Sequence, residues 1–219
     1  MPMTTTVEFY FDPISPYSWL AARQGERVEA AGVRLDFRPV LLAGLLAAHG
    51  TKGPAETPAK RAYTMRDVLR IAARLGLPVQ GPPTHPFNPL RALRMCIALD
   101  DAGARRRFGE TLLDAAWARG LDLTDDAQLA ALAQECGLDG RALLARAGEA
   151  DVKQRLIEAT DAAVAAGIFG VPTYRIDGEI FWGEDRIDAL LWRLQGNTID
   201  EALLTKVLGR SASAARKSG

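Results

Sequence analysis

The sequence predicts an α/β fold, with a β-α-β unit near its start and a β-β-α unit near its end, split by a large all-helical insertion. Two observations predict it. Runs of β-branched and aromatic residues fall at residues 7–11, 33–40, 171–176 and 179–182, whereas residues 41–167 carry almost wholly helical patterns punctuated by Gly, Pro and Asp. A chain of 219 residues with 48% hydrophobic content is also ample for one sizeable core.

Residues 7–11 (VEFYF) read as a buried strand ending at the turn signal Asp12-Pro13. Ser15-Pro16 opens a helix, since the missing N–H of Pro16 is no loss in a first turn. Trp19, Leu20, Val28 and Ala31 continue it at roughly helical spacing to the stop at Gly32. Residues 33–40 (VRLDFRPV) alternate apolar with charged side chains, giving a second strand with one wetter face.

Helices are expected over residues 58–75, 89–102, 105–118, 125–136, 140–147 and 150–166, with Asp125 a good N-cap and Gly137 a good stop. The strand signal returns at 171–176, and Asp177-Gly178 suits a hairpin turn into a strand at 179–182. A helix over 184–194 follows, and a last one opens at residues 198–201. This order is the thioredoxin architecture with an insertion. Residues 7–40 and 168–209 are expected to form the two halves of a thioredoxin-like domain, 41–167 the inserted helical domain and 210–219 a flexible tail.

Lys and Arg total 27 against 27 Asp and Glu, so no net field draws the chain to nucleic acid or an anionic membrane. No apolar stretch is long enough to span a bilayer, and the start MPMTTTVEFYFD lacks a signal-peptide pattern, so a cytoplasmic protein is expected. Cys96 and Cys136 form no CxxC and no metal-ligand spacing, and both read as buried, inert thiols. His49 and His85 stand without partners at metal-binding spacing and read as loop residues, so no metal is expected. The Arg105–Arg106–Arg107 run reads as a solvated helix start. No dinucleotide, P-loop, zinc-protease or serine-hydrolase motif is present.

Two segments carry the chemistry. The first is Phe11-Asp12-Pro13-Ile14-Ser15-Pro16-Tyr17-Ser18-Trp19, where a strand gives way to a helix, and where redox members of the thioredoxin fold hold CxxC. The second is Gly167-Ile168-Phe169-Gly170-Val171-Pro172-Thr173, which sets a proline against a predicted strand; a cis Val171-Pro172 bond is expected there. With Phe181-Trp182-Gly183-Glu184-Asp185-Arg186, these runs make residues 7–195 resemble the 2-hydroxychromene-2-carboxylate isomerases, which share their fold with kappa-class glutathione transferases and DsbA-type oxidoreductases.

The resemblance implies glutathione as cofactor and a small aromatic substrate, in a homodimer. It makes Ser15 the residue facing the glutathione sulfur and gives Val171, beside Pro172, a backbone pairing with the cysteinyl part. Glu184 and Asp185 would hold the γ-glutamyl end, and Lys60 would meet a carboxylate of glutathione or substrate. Tyr17, Asn88 and Trp182 are implied as pocket walls; a substrate carboxylate would want a cationic or helix-terminal anchor, for which Lys60 or the Arg91 and Arg94 pair are options. Where kappa-class enzymes carry an Asn, this chain has Thr51. Read from the residues alone, Ser15 also fits a simple N-cap, and Glu184 and Asp185 fit first-turn acids that complement a helix dipole.

A hydroxyl and a helix start beside a thiol favour the thiolate, by roughly 1.5 to 3 and about 0.3 to 2 kcal/mol respectively. The activity implied is glutathione-dependent isomerisation between 2-hydroxychromene-2-carboxylate and ring-opened trans-o-hydroxybenzylidenepyruvate compounds. The alternatives are a kappa-like glutathione transferase and, from another class, a non-catalytic glutathione- or peptide-binding protein. The missing CxxC excludes a disulfide oxidoreductase.

Overall fold

Four strands form one mixed sheet in the order β2–β1–β3–β4. In the computed structural model, which describes residues 5–210, they are β1 (Thr6–Phe11), β2 (Arg34–Pro39), β3 (Thr173–Ile176) and β4 (Glu179–Trp182). β1 pairs parallel with β2, Phe9 opposite Phe37, and antiparallel with β3, Tyr10 opposite Thr173. β3 and β4 form a hairpin whose Asp177 and Gly178 both have positive φ, 51° and 86°. A two-residue hairpin with the native twist demands that geometry, and Asp-Gly tolerates it.

Period-two alternation places the core on one face of this sheet. Val7, Phe9 and Phe11 of β1 meet Phe37, Tyr174 and Phe181, with ring centroids of Phe9 4.8 Å from Phe37 and 5.0 Å from Tyr174. Tyr10 points to the other face, into a smaller cluster with Val40, Leu45, Ala163, Ile168 and Val171.

The helices are α1 (Pro16–Ala22), α2 (Gly25–Glu29), α3 (Leu42–Ala48), α4 (Pro58–Leu75), α5 (Leu90–Ile97), α6 (Ala102–Trp117), α7 (Asp126–Glu135), α8 (Gly140–Arg146), α9 (Ala150–Ala165), α10 (Ile187–Leu194) and α11 (Glu201–Leu208). The fold is therefore the thioredoxin-like one expected, its sheet strands separated by a helical insertion. None of these helices is long and apolar enough to cross a membrane.

Several expectations need correction. The first helix breaks into α1 and α2 at Gln24, whose side chain folds back to donate to the Leu20 carbonyl at 3.3 Å. The helix expected over 89–102 ends at Ile97, because Asp101 caps the next one by accepting the Ala104 N–H at 2.7 Å. α3 was not singled out, and β3 starts at Thr173 rather than Val171. The segment 184–194 opens as a 3-10 turn, Glu184–Arg186, before α10.

The arginine run is not a solvated start. Arg105 is largely buried, bonded to Asp36 at 2.9 Å and to the Phe37 and Leu99 carbonyls. Arg106 pairs with Glu29 and Glu110 and lies over the Phe37 ring; Arg107 alone is exposed. Most of the expected tail, from residue 211, lies outside the described residues.

Candidate active site

The corner between β1 and α1 is built from backbone turns closed by side chains. The Ser15 N–H donates to the Asp12 carbonyl at 3.0 Å, and Ser15 Oγ accepts the Ser18 N–H at 3.2 Å. Ser15 is thus the N-cap of α1, with extended backbone (φ −89°, ψ 117°). That cap bond fixes the position of Oγ while using only a lone pair. Among the described residues no acceptor takes the Ser15 proton, which stays available for donation. Ser15 and Ser18, at the two ends of the CxxC-like spacing, are both buried, and Ser18 Oγ has no partner among the described residues.

Asp12 lies beneath this corner, wholly buried. Its carboxylate accepts the Ile14 N–H at 3.0 Å and the Leu42 N–H of α3 at 2.9 Å. Burial away from water pushes its pKa up to about 7, against the two backbone bonds that favour the anion.

Facing the corner from the same end of the sheet is the start of β3. The Val171-Pro172 bond is cis, as expected. The Pro172 carbonyl accepts the Gly183 N–H at 2.9 Å, and Thr173 Oγ1 donates to the Gly170 carbonyl at 2.8 Å. Among the described residues no backbone hydrogen bond engages the Val171 N–H or C=O. Trp182, half exposed, packs edge-on against Phe169 with centroids 4.9 Å apart. A Cβ at Gly170 would come within 2.8 Å of the Trp182 indole nitrogen, so glycine there permits the close approach.

The remaining edge is acidic. Tyr17 OH donates to Asp67 of α4 at 2.9 Å; burial and that carboxylate together raise its pKa, so the phenol stays protonated. Glu184 accepts from Gln24 Nε2 at 3.2 Å. Burial pushes the Glu184 carboxyl above the usual carboxylate range; the Gln24 bond opposes this, while Asp185 and Asp67 add to it. Asp185 is held by Arg186. Lys60 stands exposed in the first turn of α4, seven residues before Asp67 and so on the same helix face.

The structure therefore gathers Ser15, Tyr17, Val171, Pro172, Trp182 and Glu184 around one end of the sheet, with Lys60 on the α4 face that carries Asp67. Asn88 is exposed, and its Oδ1 accepts the Leu90 N–H at 3.0 Å at the start of α5. Arg91 pairs with Asp126 at 3.5 Å, and Arg94 Nε is buried without a partner among the described residues. Cys96 is fully buried, whereas Cys136 is only partly buried, at the end of α7 beside Thr111 Oγ1 at 3.2 Å. Two clefts of about 450 and 480 Å³, neither lined by Ser15, open against β1 and α9 and between α1 and α6 respectively.

Residues that sequence reasoning missed are Asp12 as more than a turn former, Gln24, Asp67, His85 and Trp117. The Asp12-Pro13 dipeptide was the one available signal. The partners of the others are distant in the chain, as Tyr17 and Asp67 are at a separation of 50.

A family model described as a DSBA-like thioredoxin domain matches residues 6–195. A 2-hydroxychromene-2-carboxylate isomerase of Sphingobium xenophagum is 32% identical over 199 residues, spanning 86% of this chain and 97% of that protein. Human glutathione S-transferase kappa 1 is 29% identical over 204 residues, spanning 86% and 90%. Among solved structures, a 2-hydroxychromene-2-carboxylate isomerase superposes with a TM-score of 0.81 at 24% identity, covering 94% of this chain and all of the other, a likeness of fold.

Proposed function

We propose, from the membership of this chain in the DSBA-like thioredoxin domain family, to which it belongs over residues 6–195, that it is a glutathione-dependent isomerase. Its reaction interconverts 2-hydroxychromene-2-carboxylate and ring-opened trans-o-hydroxybenzylidenepyruvate type compounds. The observation that carries the reading is Ser15: a buried hydroxyl, fixed by the Ser18 N–H and holding a proton that no described group accepts, in place of a nucleophilic cysteine. The relatives named as isomerase and as kappa-class transferase support a reaction on small molecules.

The residues present fit glutathione. The unengaged backbone groups of Val171 suit antiparallel pairing with its cysteinyl unit, next to Pro172. Glu184, with Asp185 beside it, offers carboxylates to the γ-glutamyl ammonium, and Lys60 offers a cation to a carboxylate of glutathione or substrate. When bound, glutathione supplies a thiolate able to add reversibly to a conjugated enone. Ser15 would donate a hydrogen bond to that sulfur while keeping its own proton, and would not itself attack. Because α1 spans only seven residues, the hydroxyl rather than the helix end carries the larger part of this effect. Tyr17 and Trp182 wall the substrate side. A homodimer in the cytoplasm completes the proposal.

The second reading is a kappa-like transferase, favoured by the human relative. Substoichiometric glutathione separates the two. Incubation with a hydroxychromene carboxylate should give many turnovers per glutathione with no thiol consumed. A stable conjugate after one equivalent would replace the isomerase by the transferase. Binding of glutathione without either reaction would leave a non-catalytic binding protein.

A further inference from the structure

We infer that His85 and Trp117, two residues of the helical insertion, are positioning residues that clamp the turn preceding Ser15 and so aim its hydroxyl. The inference rests on the reading of Ser15 as donor to a bound thiolate. Trp117, the last residue of α6, donates its indole N–H to the Pro13 carbonyl at 3.0 Å, a buried bond across 104 residues of chain. His85, in the loop between α4 and α5, meets the Ile14 carbonyl through Nε2 at 3.1 Å. Consecutive carbonyls immediately before Ser15 are thereby held from outside the sheet.

The two clamps support each other. Their rings meet edge-on with centroids 5.2 Å apart. The Trp117 carbonyl accepts the N–H groups of Gln80 and Gly81, at 3.0 and 3.1 Å, which brings the loop carrying His85 over the indole. Arg61 of α4 fixes that loop again by donating to the His85 carbonyl at 3.0 Å. On the far side of the turn, Asp114 of α6 accepts from the Trp19 indole at 2.7 Å, so α6 holds α1 as well as the turn before it.

The chemistry of His85 agrees with a fixed donor. Since a carbonyl only accepts, Nε2 must carry the proton. Nδ1 is buried without a partner among the described residues, so a second proton there would have no acceptor. Burial lowers the pKa of the ring, and the Arg61 charge adds to this against the Ile14 bond. His85 is a neutral donor, not a shuttle.

The test uses Trp117→Phe, which keeps a ring and removes the N–H, with His85→Leu and the conservative His85→Gln, whose amide can still donate. Two quantities are read in variants shown to be folded by denaturant titration: the pKa of bound glutathione from its thiolate absorbance, and exchange of the Ser18 amide without ligand. Trp117→Phe and His85→Leu should raise the bound thiol pKa by about half a unit to one unit and speed Ser18 exchange by roughly tenfold, while His85→Gln restores both. Folded variants that match wild type in both readings overturn the clamp. Faster exchange with an unchanged thiol pKa overturns the positioning role and leaves a structural one. If wild-type protein leaves the glutathione thiol at its free pKa, the glutathione reading fails and the positioning of a thiolate donor fails with it.

Discussion

The Asp12 carboxylate joins the Ser15 corner to the start of α3 by accepting the Leu42 N–H at 2.9 Å, across 30 residues of chain. Among the described residues no cation pairs with it, and burial pushes its pKa up to about 7 from an ordinary 3.8. A carboxyl whose folded pKa is raised binds more protons in the folded state, so its contribution is full below about pH 3.8 and is lost as pH rises through about 7. The difference is at most about 4 kcal/mol at 1.36 kcal/mol per unit. Denaturant titrations across that window should show wild-type stability falling with pH and Asp12→Asn showing a flatter profile. Parallel profiles would contradict the assignment.

Tyr17→Phe removes the donor to Asp67 and should cost about 1 kcal/mol of stability. Because the phenol stays protonated, the pH–rate profile of the variant should keep its shape. A limb of the profile that disappears with the hydroxyl would make Tyr17 an acid–base group instead.

Neither thiol should support disulfide exchange. Burial pushes the Cys96 thiol up to about 12, and its Sγ is already within 3.5 Å of the Arg105 carbonyl. Alkylation of the folded protein should label Cys136 slowly and leave Cys96 unlabelled until unfolding. Insulin reduction at the rate of a CxxC enzyme would contradict this.

Much of the fold was legible in the sequence because its signals are local. Asp177-Gly178 dictates its own hairpin, and the odd residues of β1 declare the core face by alternation. Glu184 and Trp182 were marked by a run of neighbouring residues. Longer-range terms were hidden. Asp101 wins a helix boundary through one side-chain bond, and Arg105 is drawn inward by Asp36, 69 residues away, against the solvated reading of its charge. Asn88 was assigned to the pocket by resemblance alone, and its amide oxygen accepts the Leu90 N–H. His85 and Trp117 gave no local signal, since a bond to a backbone carbonyl leaves no pattern in the partner's sequence.

The most direct test is the thiol pKa of bound glutathione, measured by ultraviolet titration in wild-type protein and in Ser15→Ala. Loss of the N-cap should cost the variant about 0.5 to 2 kcal/mol, so stability is measured in parallel. The account predicts a wild-type value roughly two units below a free thiol near 8.5, and in folded Ser15→Ala a rise of about one to two units, with kcat falling about 10- to 150-fold. Identical titrations and unchanged turnover in the two proteins would contradict it and leave Ser15 as the cap of α1.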